Sequence, residues 1–153
     1  AITDAERNVA WLRDQQPTPN VELTVHDATQ PLPTGEPVVI ATEGYLGELV
    51  SGASRPDLVT RSAAAVEPIL DRFLQSAHRA LTPGHRLVIT LPAWRTKDRV
   101  VRLPLIDRAK ALGYTVIRPV PREFSPPELT DRDSIDVSRP KQRVIHELII
   151  LER

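Results

Sequence analysis

Apolar residues recur along the chain with two periods, one near four residues and one of two, and their alternation lays out the elements. Ala5, Val9 and Leu12 keep helical spacing behind Thr3-Asp4-Ala5-Glu6. That tetrad can form a capping box, the Thr3 hydroxyl accepting the Glu6 N–H while the Glu6 side chain reaches back. Pro17 and Pro19 end this helix. Val21, Leu23 and Val25 then alternate with Glu22 and Thr24, the pattern of a strand, and lead into His26-Asp27-Ala28-Thr29 and a proline-rich turn. Pro37 to Ala41 is continuously apolar, as in a strand covered on both faces, and a loop with Gly44, Gly47 and Gly52 follows.

From Val66 to Leu81 the residues Ile69, Leu70, Phe73, Leu74, Ala77 and Leu81 share one helical face, with Pro68 expected in the first turn and Thr82-Pro83-Gly84 as the stop. Leu87 to Leu91 reads as a buried strand. Pro104 to Leu112 reads as a helix with proline near its start and Gly113 just past its end. Tyr114 to Ile117 reads as a strand, Pro119 to Pro140 as irregular, and Arg143 to Leu151 as a long final strand. Alternation of strands and helices predicts a three-layer α/β domain around a mostly parallel sheet. Two consecutive strands at the end predict that the last one runs antiparallel to its neighbours.

Length and composition narrow the class. A chain of 153 residues is the size of one domain, and 41% hydrophobic with 26% charged residues is ordinary for a globular protein. No apolar stretch approaches the length that spans a bilayer, and no basic segment followed by an apolar one suggests secretion. The absence of Cys excludes a disulfide framework, a thiolate zinc site and a cysteine nucleophile, and fits a cytoplasmic location. The four His residues (His26, His78, His85, His146) lack metal-ligand spacing, so no metal site is expected, and no GxSxG elbow supports hydrolase chemistry.

Lys and Arg balance Asp and Glu at 20 each, so no whole-chain basic field draws the protein onto nucleic acid. The exception is local. Arg95, Lys97, Arg99, Arg102, Arg108, Lys110, Arg118 and Arg122 face only Asp98 and Asp107 within the same stretch, an excess of six. Two readings stand: a surface that meets phosphates, or a solvated face with its acidic counterweight elsewhere in the fold.

Four segments in this order resemble a known family. Leu81 to Arg95, "LTPGHRLVITLPAWR", resembles the helix end, Pro-Gly turn and strand that follow the catalytic loop of class I S-adenosylmethionine-dependent methyltransferases. Val38 to Glu48, "VVIATEGYLGE", resembles the strand and catalytic loop of the amino-methylating branch, whose motif is Asp or Asn, Pro, Pro, aromatic. His26 to Thr29 sits where that family places an Asp beside the cofactor adenine, and Ile2 to Leu12 resembles the helix after its second strand. Among subfamilies the chain is most similar to tRNA guanosine methyltransferases that carry an RNA-binding THUMP domain. The resemblance implies S-adenosylmethionine as cofactor, contacted by Asp27, Ala28 and Thr42. It implies catalysis by Glu43 and Tyr45, and substrate contacts from Gly44 and Leu46.

The residues depart from the family pattern in two places. Thr42-Glu43-Gly44-Tyr45-Leu46-Gly47 has no Pro-Pro, and its aromatic comes one place early if Glu43 replaces the family Asp. Methylating an exocyclic amine needs an acceptor for its N–H and a face that holds the base, and Glu43 and Tyr45 could supply both. Alternatively Glu43 caps a turn and Tyr45 packs. Asp27 likewise reads either as an adenine contact or as the head of an Asx-turn before Pro31. Trp94 and Arg95 lie just past the Leu87 strand, at the edge where open α/β sheets bind ligands, so substrate contact and core packing of Trp94 are both readings.

The second departure is at the front. The fold places the cofactor on a glycine-rich turn after the first strand, with an acidic residue after the second. This chain has six Gly, no GxG, and begins with the helix expected after the second strand. The expectation is therefore a single but partial domain, the C-terminal part of a Rossmann-like methyltransferase sheet whose first two strands are missing. Its open edges would be completed by an N-terminal segment, a second chain or self-association. The expected function is methylation of an exocyclic amine in RNA, guanosine in tRNA first. The alternatives are a catalytically silent half-domain serving binding or assembly, or a methyltransferase for DNA or a small molecule.

Overall fold

A computed structural model describes residues 2–17, 20–32, 37–47, 56–140 and 142–153 of the chain. In chain order the elements are α1 (Ile2–Gln15), β1 (Val39–Glu43), α2 (Pro56–Ala80), β2 (Arg86–Arg95), β3 (Val100–Arg102), α3 (Leu105–Ala111), β4 (Thr115–Ile117), β5 (Ile135–Val137) and β6 (Val144–Glu152). They build an α/β fold around one six-stranded sheet of order β1-β2-β6-β4, with β3 pairing β2 and β5 pairing β6. The β1-α2-β2 stretch is a parallel pair joined by a crossover helix, the unit of Rossmann-like folds. β6 lies antiparallel between β2 and β4, so β1, β2 and β4 share one direction and the last strand opposes them, as expected. The sheet is not mostly parallel by pairing, however. Among the described strands only β1·β2 is a parallel pair, because β6 inserts between co-directional strands and the short β3 and β5 each fold back on a neighbour.

Register divides the sheet into two faces. Leu87, Ile89, Leu91 and Ala93 of β2 are fully buried, as are Ile145, Glu147, Ile149 and Leu151 of β6, and pairing sets them side by side. Val59, Val66, Leu70, Leu74 and Ala77 of α2 and Leu105, Ile106 and Ala109 of α3 join the same core. The other face, with Val88, Thr90, His146, Leu148 and Ile150, is half-buried. Tyr114, at the entry to β4, donates its hydroxyl to the Leu74 carbonyl at 3.2 Å and so ties α2 to the sheet.

Several expectations change. Residues 21–27 form no strand and pair with no described strand; Val25 is 82% exposed. Alternation alone does not make a strand when no neighbour offers a ladder for its backbone. β1 is not covered on both faces either. It has one described neighbour, β2, and most of its residues are exposed. Thr3 lies inside α1 rather than ahead of it, and α1 buries no residue. The ends of two other elements move outward. α2 starts ten residues before Val66, which places Pro68 in the helix interior. Pro68 and Ala64, whose carbonyl loses its N–H partner, are both exposed, so water can satisfy the break while the buried stripe continues on either side. β2 runs past Pro92 to Arg95, because β1 ends at the partner of Thr90 and asks no ladder bond of the proline. Pro19, Gly52 and Glu48 lie outside the described residues. Among the described residues no helix is long and apolar enough to cross a membrane.

Candidate functional site

β1, β2 and β5 all end at one edge of the sheet, and β6 begins there, so residues 44–47, 96–99, 138–140 and 142–143 come together. The most constrained turn is at Gly44. Its N–H donates to the Thr90 carbonyl at 3.1 Å, and a Cβ there would stand 2.3 Å from that same oxygen. Only glycine allows this approach. The loop therefore leaves β1 in a fixed direction, and Gly47 turns again at φ 83° against Val66 of α2.

The turn after residue 26 reaches the same place. Asp27 accepts hydrogen bonds on Oδ1 from the Thr29 N–H (2.9 Å) and the Thr29 hydroxyl (2.8 Å), and its carbonyl accepts from the Gln30 N–H. This is the Asx-turn reading of Asp27, and the bonds from Thr29 hold its carboxyl below the usual carboxylate range. Ser76 of α2 donates its hydroxyl to the Gln30 carbonyl at 2.6 Å and fastens the turn to the helix.

Between that turn, the end of β1 and α2 lies a small cleft of about 100 Å³, lined by Ala28, Thr29, Thr42, Glu43, Gly44, Tyr45, Ile69, Leu70 and Phe73. Five of the residues singled out from the sequence thus meet: Ala28, Thr42, Glu43, Gly44 and Tyr45. Asp27 shapes the turn without lining the cleft, and Leu46 is half-buried outside the lining. Tyr45 is 48% exposed, which leaves one aromatic face open. The Glu43 side chain is 64% exposed, and its Oε1 lies 3.1 Å from Nδ1 of His146 on β6.

Trp94 and Arg95 separate. Trp94 is 2% exposed and belongs to the core, so it is a packing residue in this structure rather than a surface for substrate. Arg95 is exposed at the end of β2, where its N–H donates to the Arg143 carbonyl at 2.8 Å.

The basic stretch also divides. Arg102 forms a bidentate pair with Asp136 (2.8 and 2.7 Å) and a third contact to Glu147 at 3.2 Å. The Asp136 bonds, with the charge of Glu147 behind them, hold the Arg102 guanidinium above its ordinary value. Arg108 pairs with Glu67 and Asp71 of α2, and Arg118 with Asp133. Arg95, Lys97 and Arg99 at the β2–β3 turn are exposed and make no ion pair with a described residue.

Sequence reading missed two partners. Glu147 falls on the buried face of β6 with no exposed surface, where Ser134 donates to its Oε1 at 2.7 Å and Arg132 lies 3.5 Å from Oε2. His146 looked isolated because its neighbour is set by strand register. The run from Val144 to Leu151 carries apolar residues on both faces, so the sequence does not say which face holds His146 and which Glu147.

No protein-family model matches the chain, and no curated protein does. In structure it is similar to a protein of Thermus thermophilus that is provisionally named a DNA modification methylase. Against one crystal structure of that protein the TM-score is 0.47 at 18% identity, over 84% of this chain and 52% of that one. Against its complex with S-adenosyl-L-methionine the values are 0.46 and 19%, over 84% and 54%. Against its selenomethionine derivative they are 0.42 and 18%, over 75% and 44%. This chain spans about half the length of the structures it resembles.

Proposed function

We propose that this chain is the C-terminal catalytic part of an S-adenosylmethionine-dependent methyltransferase that acts on an exocyclic amine of a nucleic-acid base. The observation that carries this reading is the cleft where Ala28, Thr42, Glu43, Gly44 and Tyr45 meet at the end of β1. The exposed Glu43 carboxylate accepts the N–H of an incoming amine and takes its proton, while Tyr45 stacks on the base and holds its plane. Gly44, fastened to Thr90, fixes the distance between the two.

The described residues fit one end of the cofactor. A cleft of about 100 Å³ is well below the ~300–1,000 Å³ typical of small-molecule sites. Ala28, Thr29 and Thr42 with Ile69 and Phe73 would form one wall, and the missing glycine-rich turn the other. An N-terminal segment, a second chain or another copy supplies that wall in our reading. When bound, the cofactor supplies a methyl group on a sulfonium.

The acceptor we favour is guanosine in tRNA, on the sequence resemblance; an amine of a DNA base is the competing acceptor. The test is transfer of a labelled methyl group from S-adenosylmethionine to tRNA, duplex DNA and free nucleosides by the full gene product. Expected is transfer to one polymer, lost by about a hundredfold or more in Glu43→Gln and reduced in Tyr45→Ala. Unchanged transfer in both variants would remove the site from catalysis. No transfer to any acceptor, with no binding of S-adenosylhomocysteine by calorimetry, would leave the silent assembly module as the function.

A further inference from the structure

His146 and Glu43 come from strands that are not neighbours. β2 lies between them, with Glu43 opposite Thr90, Thr90 opposite Leu148 and His146 opposite Pro92. All five positions fall on the sheet face opposite Leu91 and Glu147, so the 3.1 Å contact crosses β2 diagonally at the level where β1 has just ended. A carboxylate only accepts, which requires His146 Nδ1 to carry the hydrogen and donate. Nε2 then has no bond to a described residue. The Thr90 hydroxyl, between the two strands, is buried and also without a partner among the described residues.

His146 also lines a second, larger cleft of about 710 Å³, with Val137, Ser138, Arg139, Pro140 and Gln142. Its lining has no acidic residue. Val137 offers an exposed apolar surface and Pro140 a ring, and Arg139 offers a cation with no ion pair to a described residue. The Arg139 N–H donates to Gln142 Oε1 at 2.8 Å, which ties these two lining residues together. The Glu43–His146 pair therefore joins the linings of the two clefts, Glu43 in the smaller and His146 in the larger.

We propose that the larger cleft receives the acceptor nucleotide, base against Val137 and Pro140 and phosphate toward Arg139, and that His146 is the positioning residue that aims Glu43 at its amine. This rests on the function proposed above. An exposed glutamate held from one side presents one carboxylate geometry rather than several rotamers, and misplacement at a reacting centre by about 1 Å can cost about a hundredfold.

The pair is tested first without activity, by ring-nitrogen chemical shifts of His146. Nδ1 carries the hydrogen in the native protein and loses it in Glu43→Leu; the same tautomer in both would overturn the pairing. In the full gene product, His146→Phe lowers kcat about ten- to a hundredfold with KM for the methyl donor unchanged. His146→Asn, whose amide can donate from nearly the place of Nδ1, restores most of the rate. Equal loss in His146→Phe and His146→Asn, or no loss in His146→Phe, would overturn the assignment. Arg139→Gln raises KM for the acceptor alone, and an unaltered KM would remove the acceptor from this cleft. Should Glu43→Gln leave transfer intact, the functional reading itself fails, whatever the tautomer shows.

Discussion

At Gly44 a single missing methyl group decides where the loop after β1 goes. Gly44→Ala would drive a Cβ to 2.3 Å from the Thr90 carbonyl, a backbone atom that cannot swing away. The chain must shift and strain the Gly44 N–H bond to Thr90, at a cost of about 1–3 kcal/mol. Denaturant unfolding of the variant should show that loss with an unchanged slope, and an unaltered midpoint would mean the loop is free to move. The His78–Tyr114 contact sets a pH window in the same way. Their rings meet edge to face at 5.0 Å, and burial penalises the charged form of each. Desolvation, with the Arg153 charge adding to it, pulls His78 below 6.5, so its contribution is present above that pH and lost as the unfolded chain takes up the proton below it. Desolvation raises the Tyr114 phenol above 10.0, so its contribution is lost above that pH, where the unfolded chain ionises first. In Tyr45→Phe, where Tyr114 is the remaining tyrosine, ultraviolet absorbance should register tyrosinate only together with alkaline unfolding. Ionisation of the folded protein near pH 10 would contradict its burial.

Elements were legible where one face is apolar and polar residues mark the ends. α3 runs between Pro104 and Gly113 as read, and the buried stripe of α2 is the one its spacing gives except at Ile69, which is 38% exposed. What the pattern could not supply is partnership. Residues 21–27 alternate like a strand and pair with no described strand, whereas β3 and β5, three residues each, form because β2 and β6 offer them ladders. The site was legible to the same degree. The loop Thr42 to Tyr45 stood out by its place after an apolar run, but His146 and Glu147 acquire opposite roles only through the register of β6. Glu147 shows what that register imposes. Placed on the core face, it is neutralised by Arg102 and Arg132 and accepts the Ser134 hydroxyl, and Thr130 in turn donates to Ser134 at 2.6 Å. Arg102→Met would leave the fully buried Glu147 and the Asp136 carboxylate without their shared cation. The expected loss is about 3–5 kcal/mol, larger than for Arg99→Met on the exposed turn. Equal losses in the two variants would show that the buried network contributes no more than a surface charge.

On the scale of the whole molecule, stability is unevenly distributed. β2 and β6 carry the longest register in the sheet and, with α2 and α3, all of the large buried side chains sit on or beside them. α1 buries none of its residues, the segment 20–28 is largely exposed, and β1 has a single described neighbour with Val39 exposed on it. The apolar helix face at Ala5, Val9 and Leu12, which buries nothing, and the β1 edge with its one described neighbour agree with the proposal that surfaces from outside this chain cover them. Amide hydrogen exchange reads this directly, because protection follows burial and cooperative contact rather than helical geometry alone. Amides of α1 and β1 should exchange by local opening, orders of magnitude faster than those of β2, β6 and the second half of α2, which should exchange only with global unfolding. On the proposal of a sheet completed from outside, the same α1 and β1 amides slow toward the core rate in the full gene product. Core-level protection of α1 in the chain by itself would show that its apolar face is already covered, and the idea of a sheet completed from outside would fall with it.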